Sequence, residues 1–508
     1  MKSLSLALSL ASLALAGKQD RPGRPGGKPL VTAESLQKQI RLTDLLEGSQ
    51  QLEDFAFAYP ERNRVFGGAA HQDTVNWLYR ELKRTGYYDV YKQEQVHLWS
   101  NAEQTLTTAA GESFNPTAMT YSPSVNATAE LAVISGLGCS LADFPASVAG
   151  KIVLVQRGNC TFGEKSVWAA AADAAATITY NNVPGTLSGT LGAAESELGP
   201  YSAIVGISLE EGEALIALAE DGPLTVNLWV ESSLENRTTH NVIAQTKGGD
   251  QNNVVSLGGH TDSVNAGPGI NDDGSGIISN LVIAKALTKF SVKNAVRFCF
   301  WTAEEFGLLG SEYYVSSLSP AELDKIRLYL NFDMIASPNY ALMLYDGDGS
   351  AFNLTGPAGS GAIEKLFEDY FTAEGYPTIP TEFDGRSDYE AFILNGIPSG
   401  GVFTGAEDVK TEEEAALFGG EAGLAFDENY HQEGDTFDNL NHEAYLLNSK
   451  ATAFAVATYS NDLSGIPPRT PASSVVKRSV HHRRAMPLRP RKAVHRHATG
   501  CMHDRVAL

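Results

Sequence analysis

Five short stretches of this 508-residue chain set imidazole and carboxylate groups beside its most apolar runs. In GGHTDS, His260 follows NVVSLGG and Asp262 stands two residues later; PGINDDGSG offers Asp272 and Asp273 ahead of a long apolar segment. WTAEEFG ends an apolar run in the adjacent carboxylates Glu304 and Glu305, Asp333 closes YLNFDM, and His431 lies in ENYHQEGDT. Taken singly, each has an ordinary explanation: Asp-Asp-Gly makes turns and caps helices, Glu-Glu is usually a solvated pair, and a lone His usually finds a hydrogen bond. Together, two His and three or four carboxylates form the N/O ligand set that suits zinc. There are enough carboxylates for one to bridge a pair of ions, and two metals ~3.5–4 Å apart can polarise a carbonyl and generate a hydroxide nucleophile at neutral pH. Adjacent Glu residues at a strand end point differently, so one can bind metal while its neighbour handles protons.

Elements able to position these groups are legible in the same region. From about residue 239 the pattern runs strand, loop, helix: NVVSLGGH, GSGIISNLVIAKALTKF, AVRFCFW, a helix, then KIRLYLNF. Such alternation indicates an α/β sheet covered on both faces, with ligands bound at the carboxyl ends of its strands. Upstream, residues 31–59 and 69–85 show helical spacing, with Val75, Leu78, Tyr79 and Leu82 on one face and Gly86 as the stop, so two N-terminal helices are expected before a strand DVYKQEQVHLW. From about 118 to 232 the texture changes to short β-runs, Gly/Ser/Pro turns and one Ala-rich helix. That stretch, with GKIVLVQRG, Cys160 and ITYNN, resembles a protease-associated domain, which implies an insertion shaping the entrance to a neighbouring site.

HTDS, GINDDGSG, WTAEEFGLLGS, NFDMI and NYH, in this order, resemble the co-catalytic zinc aminopeptidases, a family that also includes glutamate carboxypeptidase II, and within it the secreted fungal leucine aminopeptidases. The resemblance spans about residues 35–465 and implies an α/β fold, a mixed sheet sandwiched by helices in the manner of phosphorylase/hydrolase-like zinc peptidases, with the β-rich domain inserted. Carried over, it implies that His260 and Asp333 hold one zinc, Glu305 and His431 a second, and Asp272 bridges the two, before a cis peptide bond to Asp273. It implies also that Asp262 orients His260 by a hydrogen bond and that Glu304 is the general base. Tyr430 matches a phenol that stabilises the oxyanion, and Arg386 an arginine near the substrate cleft. Met334 and Phe403 are candidate walls of the pocket, and a leucine preference follows from the resemblance alone. The turn after His431, Gln432-Glu433-Gly434-Asp435-Thr436, departs from relatives with Pro-rich or Asp-rich turns there, which bears on the pocket rim.

Composition bounds the rest. Residues 1–16 read as a cleaved secretory signal and 17–30 as a propeptide or linker; 31–117 and 233–466 form the peptidase domain around an insert at 118–232, and 467–508 is a basic, processed or disordered tail. The formal net charge is −22, yet residues 1–30 contribute +4 and 468–508 contribute +9, leaving −35 for the body, which argues against nucleic-acid partners. No later run is apolar enough to span a bilayer, so with the signal a secreted, extracellular protein without a membrane partner is expected; the resemblance implies peptide substrates, and a monomer is expected. Cys139 and Cys160 flank one turn-plus-strand unit and are expected to pair, Cys299 lies within an apolar strand as a buried thiol, and Cys501 is in the tail. Sequons at Asn126, Asn159, Asn236 and Asn353 fit an exported surface. The competing readings are a carboxypeptidase or dipeptidase of the same family, a single-zinc glutaminyl cyclase, and a metal-less receptor-like binding protein.

Overall fold

The computed structural model describes residues 27–183 and 185–469. The expected signal at 1–16, most of the 17–30 linker and nearly all of the 467–508 tail, with Cys501, lie outside the described residues.

Four parallel strands form the centre of the peptidase sheet: Asp250–His260 lies between Asn294–Trp301 and Ile326–Phe332, and Ser399–Phe403 pairs with the last of these. Antiparallel partners flank them, Met343–Tyr345 on one side and Thr225–Thr246 on the other, so the sheet is mixed. The strands read VVSLGG, AVRFCFW and IRLYLNF because both faces are covered: Leu257, Phe298, Phe300, Leu330 and Phe332 pack with the helices Leu42–Phe57, Gly274–Leu287 and His442–Tyr459, while Cys299, Trp301 and Tyr329 pack on the opposite side with Tyr314 and Phe392. The fold is thus the expected mixed α/β sheet between helices, with Cys299 a buried free thiol.

Two strands of 21 and 22 residues, Tyr88–Thr108 and Thr225–Thr246, run antiparallel from Tyr88↔Thr246 to Thr108↔Val226 and join this sheet to the insert. At one end Tyr88, Val90, Val242 and Ala244 belong to the peptidase core; at the other Leu106, Val226, Leu228 and Val230 belong to a second core. That second core closes over a parallel set, Val125–Val133, Ile152–Gln156, Ala176–Tyr180 and Ile204–Ile207. Cys139 and Cys160 form the expected disulfide there.

Two expectations need correction. The segment 31–59 is not one helix but two, Ala33–Gln37 and Leu42–Phe57, because Lys38 caps the first and Arg41 starts the second in extended conformation. The insert carries a second helix, Leu209–Glu220, beyond the Ala-rich Phe162–Ala171. Its signal was present in the sequence as a capping box, with Ser208 and Glu211 satisfying each other's backbone N–H groups.

Candidate metal centre

Every grouping read from the sequence reaches one cleft. His260 is the last residue of its strand; Asp272 and Asp273 precede the helix Gly274–Leu287; Glu304 and Glu305 lie in the turn after Asn294–Trp301; Asp333 follows Ile326–Phe332. His431 comes from the loop before the last helix, and Tyr430, Arg386, Met334 and Phe403 line the same cleft. Ala303, Met334 and His431 have φ of 55°, 52° and 57°, a left-handed conformation uncommon outside glycine, and each is a site residue or adjoins one.

The carboxylate of Asp273 explains how three elements converge. Its Oδ2 accepts from the backbone N–H of His260 at 3.1 Å, and its Oδ1 accepts from Gly276 at 2.9 Å and Met334 at 3.2 Å. One side chain therefore caps the helix and ties it to two strand ends. The approach demands glycine: a Cβ on Gly259 would stand 2.1 Å from Asp273 Oδ2, and one on Gly276 2.0 Å from Phe332 O. The Asp272–Asp273 peptide is cis, as the resemblance implies. Asp435 accepts from the N–H groups of Asn271 at 2.8 Å and Asp272 at 3.0 Å, which joins the His431 loop to the same turn.

Asp272 presents one oxygen to each imidazole: Oδ1 is 3.0 Å from His260 Nε2 and Oδ2 is 3.2 Å from His431 Nε2. His260 Nε2 also faces Asp333 Oδ1 at 3.6 Å and Glu304 Oε2 at 3.8 Å, and His431 Nε2 faces Glu305 Oε2 at 2.9 Å. Asp262 meets His260 through its backbone oxygen, and its carboxylate has other partners. His260 Nδ1 lies 3.2 Å from the backbone oxygen of Asp262, while the carboxylate is 3.8 Å away and accepts instead from the N–H groups of Glu304 at 3.1 Å and Glu305 at 3.4 Å. The tight turn at Thr261 brings the peptide oxygen to the ring first and leaves the carboxylate to position the Glu pair. A proton on Nδ1 shared with that oxygen would leave Nε2, which faces the carboxylates, as the nitrogen that binds a metal once its own proton is displaced.

Electrostatics follow from crowding. Burial foremost, with Glu305 and Asp333 adding and His260 opposing, holds the Glu304 carboxyl well above its usual range. Burial and the charge of Asp272 push Glu305 up to about 7, against His431. Burial disfavours charge on both His260 and Asp272, yet the surrounding carboxylates raise His260 and the two imidazoles lower Asp272. Glu305 Oε1 and Asp333 Oδ1 are buried oxygens that accept no hydrogen bond among the described residues. Donor atoms of His260, Glu304 and Asp333, and again of His260, Asp272 and Glu305, lie within 4.8 Å of one another. A ring nitrogen facing three carboxylates cannot satisfy them with one proton, whereas divalent cations can, so the donor set fits zinc. The acidic trio Asp346, Asp348 and Glu364 differs, since both oxygens of Asp346 accept from backbone N–H groups of residues 349–352.

At the rim, Arg386 Nη2 reaches Glu407 Oε1 at 2.9 Å and donates to Tyr430 Oη at 3.1 Å, and the Tyr430 ring stacks on His431 with centroids 3.8 Å apart. Ser387 donates to Asp333 Oδ2 at 2.5 Å. Sequence reading missed Ser387, Glu407 and Asp435; it allowed Asp-Asp-Gly a helix cap, which Asp273 provides, but not the ties of Asp273 to His260 and Met334.

Residues 241–456 match the model for peptidase family M28, and residues 127–215 match the PA domain. The chain is 69% identical over 486 residues to a protein of Aspergillus oryzae named probable leucine aminopeptidase 2, covering 94% of this chain and 97% of that one. It is 67% identical to the protein of the same name from Aspergillus fumigatus, over 100% and 99% of the two chains, and 55% identical to leucine aminopeptidase 2 of Trichophyton rubrum, over 92% and 94%. Among solved structures, an aminopeptidase from Aneurinibacillus sp. strain AM-1 superposes with a TM-score of 0.67 at 30% identity, covering 86% of this chain and 97% of its own. A zinc aminopeptidase from Bacillus subtilis superposes with a TM-score of 0.60 at 26% identity, covering 82% and 94%.

Proposed function

The chain belongs to peptidase family M28, and on that premise we propose that it is a secreted zinc aminopeptidase that releases single residues, leucine and other apolar ones foremost, from free N-termini of peptides. The observation that carries this reading is the division of Asp272 between two imidazoles, each facing a further carboxylate, with Glu304 beside them. His260 and Asp333 would hold one ion, His431 and Glu305 the other, and Asp272 both. Zinc bound there supplies a Lewis acid for the scissile carbonyl and lowers the pKa of water.

The chain's own groups do the rest. Glu304 takes the proton of the attacking water on its carboxylate and returns it to the leaving amine. The positively charged α-amine of the substrate lies between the carboxylates of Glu304 and Asp333, which line the cleft. Tyr430 Oη, which accepts from Arg386, donates its own proton to the oxyanion. Met334 and Phe403, with Tyr345 and Tyr389, give the pocket apolar walls suited to a leucine side chain. A carboxypeptidase would need guanidinium groups to take a product carboxylate, but Arg386 is already paired with Glu407.

Secretion is supported by the signal-like residues 1–16, the disulfide and the exposure of all four sequon residues, Asn126, Asn159, Asn236 and Asn353. Among the described residues no helix is long and apolar enough to cross a membrane.

Leucine p-nitroanilide and its N-acetyl form test the direction of attack. Removing the amine's charge leaves buried carboxylates unpaired, a cost of ~1–3 kcal/mol, so the blocked substrate should turn over at least about tenfold more slowly. Equal rates, or release of residues from the carboxyl end of a peptide, would overturn the aminopeptidase reading.

A further inference from the structure

Between His260 and Asp272 the chain runs through eleven residues, Thr261–Asn271, that form neither helix nor strand and are mostly buried. Backbone groups of such a loop must find partners inside the protein. Many of them find the same one. Arg64, fully buried in the segment before the helix Ala69–Arg84, donates from Nε to Pro268 O at 2.8 Å, from Nη1 to Thr261 O and from Nη2 to Gly269 O. Its backbone N–H donates to Ser263 Oγ at 2.8 Å, and the N–H of Ser263 donates back to Arg64 O at 3.3 Å. Neighbouring Asn63 holds Asn265 O at 2.9 Å, and His71 Nε2 lies 2.9 Å from Thr261 Oγ1.

We propose that Arg64 is a positioning residue for the metal centre: its guanidinium clamps both ends of the loop Thr261–Gly269 and so sets His260 and Asp272 at the spacing at which they share an ion. The inference rests on the zinc reading of the site. Geometry favours this role over simple filling of space. Thr261 follows His260 directly and Pro268 and Gly269 stand a few residues before Asp272, so the three carbonyls bracket the loop between the ligands, and a planar fork with five N–H donors can take all three at once. Charge points the same way. Burial, the largest influence, lowers Arg64 from its usual range, and the carboxylates of Asp262, Asp435, Asp273 and Asp272 oppose that shift, so the guanidinium sits among anions that favour its charge. Arg64 does not line the cleft, so it acts through the ligands and not on the substrate.

Arg64→Lys keeps the charge and most of the volume but loses the fork. Ser263→Ala loosens the same clamp from the loop side, which keeps the test intact if the Arg64 variant folds poorly. In the full-length protein, zinc affinity measured by competition with a chromophoric chelator should weaken tenfold to a hundredfold in Arg64→Lys and less in Ser263→Ala, as found when groups supporting metal ligands are removed. At saturating zinc, kcat for leucine p-nitroanilide should fall while KM stays within about twofold. Variants that melt at lower temperature yet bind zinc as tightly as wild type, with unchanged kcat, would overturn the clamp alone. A wild type that binds no zinc would overturn the metal reading and this inference with it.

Discussion

Both parts of the molecule hold a loop by aiming a buried cation at its backbone carbonyls, yet they put the device to different ends. In the PA domain, Lys165 donates to Leu137 O and to Gly158 O at 3.0 Å, and the disulfide Cys139–Cys160 closes the same two stretches covalently. In the peptidase part, Arg64 grips the loop Thr261–Gly269, and no covalent bond ties the ends, which carry His260 and Asp272 into the cleft. Among the described residues, every group of side chains able to hold a metal lies in the peptidase part. A point charge suffices where a disulfide already fixes the backbone; a rigid fork is needed where the loop ends must stay apart to receive an ion.

The largest test of that contrast is the Glu pair. Glu304→Gln should leave the fold and the zinc content, about two per chain, nearly unchanged and lower kcat by ~10² to 10⁴, the loss expected of a general base. Glu305→Gln should instead lose metal, as should wild type treated with chelators, and neither change should move the unfolding of the PA domain. Metal analysis and turnover measured on the same samples decide it. An exchange of phenotypes between the two substitutions would reverse their roles, and one zinc in fully active protein would favour a single-metal site.

A smaller effect is expected on the other side. Replacing Cys139 and Cys160 by Ser opens a loop of 21 residues' separation and should cost the PA domain roughly 3 kcal/mol by chain entropy. Its two connecting strands also enter the peptidase core, so the measurement must separate the transitions, for example by hydrogen exchange of Ile152–Gln156 against that of Asp250–His260. Zinc content and kcat should not change. A loss of zinc on removing the disulfide would mean that the two parts are coupled more tightly than their separate cores suggest.

What the sequence made legible follows the same division. His260, Glu304, Glu305 and Asp333 stood out because polar groups at the ends of apolar strands break a strong pattern, and Asp272 because it stands just ahead of a long apolar helix; such ends meet in an α/β sheet. Arg64 gave no such signal: its partners are carbonyls 197 to 205 residues away, and carbonyls carry no side-chain identity. Asp273 and Asp435 were hidden for a related reason, because they accept from backbone N–H groups that any residue supplies. Asp262 was legible as a partner of His260, but spacing alone does not say that its peptide oxygen reaches the ring ahead of its carboxylate. The break at Lys38–Arg41 escaped notice because apolar spacing continues across it in LQKQIRLTDLL.

The smallest predicted effect concerns the sign of a pH dependence. Burial, opposed by Asp143 and Glu164, lowers Lys165 to about 8, whereas an unfolded chain keeps a lysine protonated to ~10.4. Between these values the unfolded state binds more protons than the folded one, so this residue makes stability rise with pH, and below about 8 its contribution is flat. The cation is tolerated at neutral pH because Leu137 O and Gly158 O accept from it. Lys165→Met removes the titration but leaves those two carbonyls without a donor, so the variant should be less stable throughout while lacking the rise above pH 8. Melting of the PA domain at pH 7, 8.5 and 10, taken as wild type minus variant so that other titrations cancel, isolates the term. A difference that grows with pH supports the assignment, and one that shrinks would mean that Lys165 gains more from its charge than burial costs it, which would overturn it.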